Sequence, residues 1–119
     1  MPRDAGPRVR ARAWVEWAGQ PLLGPGHARL LDAVTRTGSI TAAAAEVGIT
    51  YRTAWTWIRR MNAALGRPLV AASHGGAHGG GAALTPAGEA VVDAFRAVAT
   101  RMQAFVEDAQ ADVERVLGR

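Results

Sequence analysis

The stretch Ser39-Ile40-Thr41-Ala42-Ala43-Ala44-Ala45-Glu46-Val47-Gly48-Ile49-Thr50 restricts the fold more than any other part of the chain. Alanine is the strongest helix former, Ser39 is a natural N-cap, and Gly48 ends the helix after barely two turns. Ile40, Ala43, Ala44 and Val47 form its buried side. A helix this short, with so little side-chain bulk, lets the next helix cross it closely. Thr50 caps that next helix, which the spacing carries to about Leu65 with Ala54, Ile58, Met61 and Leu65 as its apolar stripe. The glycine turn between the two sets a steep crossing angle, and Gly66-Arg67-Pro68 stops the second helix.

The flanks follow the same logic. Residues 9–17 alternate, with Val9, Ala11, Ala13, Val15 and Trp17 on one side and Arg10, Arg12, Trp14 and Glu16 on the other. A period of two predicts a strand. Ala18-Gly19-Gln20 reads as a turn and Pro21-Leu22-Leu23 as a short return strand. A first helix is expected from about His27 to Thr37, with Leu30, Leu31 and Val34 on one face and Gly38 at its end. Beyond the central pair, Leu69–Ala72 and Ala82–Leu84 read as strands around a glycine-rich segment, Gly75–Gly81. Thr85-Pro86 then opens a last helix. Its apolar stripe runs through Val98, Met102, Phe105, Val106, Ala109, Val113 and Val116 toward the C-terminus.

Composition narrows the function. Cysteine is absent, which removes disulfides and thiolate metal sites. No segment is long and apolar enough to span a bilayer, and the basic N-terminus lacks the apolar run of a signal peptide, so a cytoplasmic protein is expected. All fourteen basic residues are arginine. Residues 1–84 hold ten arginines against four acids, Asp4, Glu16, Asp32 and Glu46; residues 85–119 hold four against six. A basic front and an acidic tail point to an anionic partner for the front. No nucleophile motif, carboxylate pair or cofactor fingerprint is present, so neither an enzyme nor a cofactor is expected. His74 and His78 lack a nearby cysteine or carboxylate and make no metal site.

The order of helix, short helix, glycine turn, capped helix, strand, glycine loop and strand is that of a winged helix-turn-helix. The expected fold is mainly α with a small β component, followed by a long C-terminal dimerisation helix. Residues 1–119 form one domain, divided as an arm and hairpin (1–24), the helix-turn-helix and wing (25–85) and the dimerisation helix (86–119). In such a fold the second of the crossed helices meets the major groove with its first turns. Arg52 is suited to guanine, and Thr53 and Thr56 to base edges or thymine methyls; Arg59 and Arg60 are expected at phosphates. Ser39, Thr41, Thr50 and Tyr51 complete the expected DNA-contacting set. Tyr51 and Trp55 border both the DNA face and the core stripe and fit either role, whereas Trp57 reads as core. Gly75, Gly76, His78, Gly79 and Gly80 form the expected wing tip, and Val98, Met102, Phe105, Val106 and Val113 the dimer contact. At about 1.5 Å per residue the last helix would reach about 50 Å, more than one small domain can cover, and two recognition helices on a two-fold axis would read a palindrome.

The residues also carry a resemblance. Arg36-Thr37-Gly38-Ser39-Ile40-Thr41-Ala42-Ala43-Ala44 resembles the helix-turn-helix of LysR-type regulators. Thr50-Tyr51-Arg52-Thr53-Ala54-Trp55, Met61-Asn62, Gly75-Gly76, Gly79-Gly80-Gly81-Ala82 and Leu84-Thr85-Pro86 together resemble the DNA-binding domain of ModE-type molybdate-responsive regulators. The resemblance covers about Gly24 to Thr100 and implies a dimer on palindromic operators near molybdate-uptake genes. Two features depart from the family: the chain stops where the molybdate-binding half would begin, and Ala77 stands where the wing usually has a basic residue. Direct binding of molybdate is therefore not expected. A second class stays open, a winged helix that docks another protein such as a separate molybdate-binding subunit.

Overall fold

The computed structural model describes residues 6–73 and 81–118. Its elements are β1 (Val15–Trp17), β2 (Gln20–Leu23), α1 (Pro25–Thr37), α2 (Ile40–Val47), α3 (Tyr51–Leu65), β3 (Val70–Ser73), β4 (Gly81–Leu84) and α4 (Pro86–Leu117). They cluster into two units, Trp14–Phe95 and the terminal segments before Trp14 and after Phe95. α4 gives its first ten residues to one unit and the remainder to the other.

The helix ends are set as the local chemistry dictates. Ser39 Oγ accepts the Ala42 N–H at 3.1 Å and Thr50 Oγ1 the Thr53 N–H at 3.0 Å, each satisfying one of the orphan donors of a first turn. Gly38, Gly48 and Gly66 close α1, α2 and α3 in the left-handed region. α1 begins two residues before its expected start, because Gly24 serves as N-cap and Pro25 fits the first helical position. The Gly24 N–H is taken by His27 Nδ1 at 3.2 Å.

The arm departs from expectation. Of the alternating residues 9–17, only Val15–Trp17 form a strand, paired antiparallel with β2. β2 has four residues, and no described strand lies beside residues 9–14; alternation describes an extended chain, and a ladder also needs a neighbour. Ala18 and Gly19 form the two-residue turn, both at positive φ (51° and 78°), as a type I′ hairpin requires.

The winged-helix unit, Trp14–Phe95, owns a complete core. Leu23, Leu30, Leu31, Val34, Ile58, Met61 and Leu69 are almost wholly excluded from solvent, and each side chain of this size contributes about 1.5–3 kcal/mol through burial. Ala43, Ala44 and Ala54 are buried as well, which is how α2 and α3 come close. Val47 and Leu65, expected in the core, are half-buried because they sit in the last turns of their helices.

The wing strands β3 and β4 pair in register from Val70↔Leu84 to Ser73↔Gly81. Two bonds fasten them to the helices and one closes the base of the wing. Ala82 N–H donates to Gly38 O at 2.9 Å, Thr85 N–H to Leu69 O at 3.0 Å, and Leu69 N–H to Asn62 Oδ1 at 2.8 Å. Thr85 Oγ1 accepts from Gly88 N–H at 3.1 Å and donates to Pro68 O at 2.7 Å. Gly88 is buried there with no room for a side chain: an added Cβ would lie 2.1 Å from Leu69 O. The expected wing-tip residues Gly75, Gly76, His78, Gly79 and Gly80 lie outside the described residues.

In the other unit the arm lies against α4. Val9 N–H donates to Gln110 Oε1 at 2.7 Å, and Gln110 Nε2 donates to Pro7 O at 2.9 Å and to Glu114 Oε1 at 2.8 Å. One side-chain amide thus meets a main-chain donor and a main-chain acceptor of the arm. Val98, Met102, Val106 and Val113 are half-buried, whereas Phe105, Val116 and Leu117 are exposed.

Candidate nucleic-acid interface

At about 100° per residue, α3 turns its core stripe of Ala54, Ile58 and Met61 inward and brings Arg52, Thr56 and Arg59 onto the opposite side. Arg52 and Arg59 are exposed and Thr56 is half-buried. α3 contains no acid, so nothing on the helix itself opposes a polyanion.

Thr56 Oγ1 sits 3.0 Å from the carbonyl of Arg52. A carbonyl only accepts, so the hydroxyl proton is committed and Thr56 offers lone pairs and a methyl group outward. Thr53 is engaged at the cap, where Thr50 Oγ1 donates to Thr53 Oγ1 at 3.0 Å while accepting the Thr53 N–H. Ser39 likewise spends an oxygen lone pair on its own helix, and Thr41 is exposed in the first turn of α2.

Aromatic residues brace the same helix. Tyr51 meets Trp55 edge to face at 6.3 Å between ring centroids, and the Arg59 guanidinium carbon stands 5.9 Å from the Trp55 ring centre. These three residues are spaced i, i+4, i+8. Contacts of this kind contribute about 0.5–1 kcal/mol at exposed sites and limit the directions Arg59 explores. The spacing is visible in the sequence, where all three residues are placed near the DNA face but not in contact with one another.

Arg60 goes elsewhere. It lines a recess with His27, Trp57 and Gln20 on the β2 side of α3, about 80° around the helix from Arg52. Trp57 packs perpendicular to His27 at 4.8 Å between centroids. Burial first, and the Arg60 charge second, push His27 below the usual histidine value of 6.5. On the helix-turn-helix itself, Arg36 of α1 grips Glu46 of α2 through both guanidinium nitrogens. That bonding raises Arg36 further and holds the Glu46 carboxyl below the ordinary carboxylate range. The pair is solvent-exposed and cancels the single acid of α2.

Comparison with known proteins agrees with this geometry. The family described as "Bacterial regulatory helix-turn-helix protein, lysR family" matches residues 25–89, which reach from α1 through both wing strands into the first turn of α4. Similar proteins include the "Molybdenum-pterin-binding protein MopB" of Rhodobacter capsulatus, 44% identical over 99 residues, covering 80% of this chain and 37% of that one. The "Molybdenum transport protein ModE" of Azotobacter vinelandii is 38% identical over 90 residues, covering 76% and 33% respectively. The "DNA-binding transcriptional dual regulator ModE" of Escherichia coli K12 is 35% identical over 79 residues, covering 66% and 30%. The chain spans about a third of the length of the curated relatives it matches. With the winged helix-turn-helix in the fold and the match extending from its first helix past its wing, the chain belongs to the LysR family of bacterial regulatory helix-turn-helix proteins.

Proposed function

We propose that this chain reads duplex DNA for a molybdenum-related transcriptional regulator, placing α3 in the major groove of palindromic sites as a homodimer. The observation that carries the reading is the outward side of α3, where Arg52, Thr56 and Arg59 stand opposite the core on a helix without acids. Arg52 can present its two-pronged donor to guanine O6 and N7. Thr56, its proton already given to Arg52 O, accepts from a cytosine or adenine amino group or packs on a thymine methyl. Arg59, steadied by Trp55, and the exposed Thr41 serve phosphates. The names of the relatives, ModE regulators and a molybdenum-pterin-binding protein, supply the link to molybdenum. Exposed Phe105, Val116 and Leu117 on α4 favour a second copy as the partner.

The test is selection of bound duplexes from a random library, followed by anisotropy titrations at several salt concentrations. Arg52→Ala should cost about 1–3 kcal/mol and relax the base preference at one position per half-site. Arg59→Ala should weaken all sequences alike and flatten the salt dependence. An unchanged motif and affinity in Arg52→Ala would refute base reading by this residue.

One observation favours a protein-docking winged helix as a second reading. Val15, Trp17, Leu22, Leu65, Pro86 and Val91 line an apolar groove of about 380 Å³ at whose edge Trp17 is 48% exposed. The same titration separates the readings, since a docking module shows no salt-dependent affinity for duplex DNA.

A further inference from the structure

The recess on the β2 side of α3 is separate from the outward stripe and has a composition of its own. It measures about 490 Å³, within the roughly 300–1,000 Å³ typical of small-molecule sites. Its accessible apolar surface comes from the half-buried ring of Trp57 and from Pro21, Ala63 and Ala64, with the buried Leu22 and Met61 beneath. Its polar groups are Arg60, His27 and Gln20. No acid is among the residues that line it, so the recess combines a positive charge with an aromatic wall.

The donors are not already spent. Arg60 makes no hydrogen bond or salt bridge with another described residue. His27 Nδ1 accepts the Gly24 N–H, so its proton resides on Nε2, leaving a donor on the other edge of the ring. Trp57 is packed on both sides: it stands perpendicular to His27 at 4.8 Å between centroids and lies against Gly26. An indole packed on His27, beside a guanidinium that has no partner among the described residues, suits a flat ring that carries a negative group. A compact inorganic anion would satisfy Arg60 and leave the apolar wall wet.

We propose that the recess formed by His27, Trp57 and Arg60 binds a small planar aromatic carboxylate, which places an effector site on the flank of the recognition helix. The carboxylate pairs with Arg60 and the ring covers Trp57. Because Arg60 follows Arg59 directly in α3, an occupant acts on the helix one residue from a proposed phosphate contact.

The probe is 2-naphthoate, titrated calorimetrically into the full chain without DNA at neutral pH and low salt. Saturable binding with a sub-millimolar Kd and one site per protomer is expected. Arg60→Gln should weaken it at least tenfold, whereas Arg67→Gln, an exposed arginine outside the recess, should leave it unchanged. The neutral 2-naphthamide and inorganic sulfate should each bind at least tenfold more weakly than 2-naphthoate. Absence of saturation, equal losses in the two arginine variants, or equal binding of the amide or of sulfate would overturn the proposal. The titration contains no DNA, so its failure would leave the reading of α3 intact.

Discussion

The two units differ in what holds them. Every apolar side chain that is fully buried among the described residues lies between Leu22 and Phe95, inside the winged-helix unit. The unit built from the arm and the distal part of α4 has none; its apolar residues are half-buried at best, and its defining contact is the polar clasp of Gln110 on Pro7 and Val9. The first unit therefore has the makings of independent stability. The second lacks the burial that offsets the entropy of ordering a chain, and an additional apolar partner is what would supply it.

The comparison is sharpest at Gly88, which is placed in the well-packed unit by backbone proximity alone. Gly88→Ala drives a methyl group into Leu69 O, at the point where Asn62, Leu69 and Thr85 bind the wing to the helices. A loss of about 3 kcal/mol is expected, read as a lower urea midpoint. A neutral result would mean that β3 and α4 separate easily and that the first unit is looser than its burial suggests.

In the poorly packed unit the converse holds. Phe105→Glu together with Val106→Glu should leave the core of the winged helix folded while weakening self-association by about 2 kcal/mol, roughly thirtyfold in Kd. Sedimentation at micromolar concentration checks this. A wild-type chain that sediments as a monomer would mean the arm suffices for α4.

A smaller effect concerns His27, whose folded-state pKa lies below that of the unfolded chain. The unfolded state then binds more protons below about pH 6.5, so stability is fully present above that value and declines as pH falls through it. His27→Gln should flatten this part of the pH profile of the melting temperature. An identical slope in the variant would assign the effect to other groups. The smallest change is expected at Ala18, the one non-glycine residue at positive φ among those described. Ala18→Gly should relieve left-handed strain and raise stability by about 0.5–1 kcal/mol, visible as a small rise in melting temperature; a decrease would show that the hairpin tolerates Ala18 without strain.

What the sequence disclosed follows the range of the interactions concerned. Caps and glycine stops act over three or four residues, so Ser39, Gly48, Thr50 and Gly66 delimit α2 and α3 as expected from pattern alone. The side of α3 occupied by Arg52 follows from the position of Ala54, Ile58 and Met61. Long-range partners left no such trace. Gly88 meets Leu69 across the wing, and the arm meets Gln110 across 101 residues. The same limit misassigned residues 9–14, whose alternation fits a strand with no neighbour to pair with. Arg59 and Arg60 are both expected at phosphates from their place further along α3, yet 100° of helical rotation separates their surroundings.

The clasp at Gln110 recognises main-chain atoms only, the amide of Val9 and the carbonyl of Pro7. It reads the course of the arm and is blind to its side chains. Arg10 and Arg12 can consequently be exchanged without loosening the hold, leaving the charge of this segment open to adjustment. Proline at position 9, which lacks the donated hydrogen, would remove one of its two bonds.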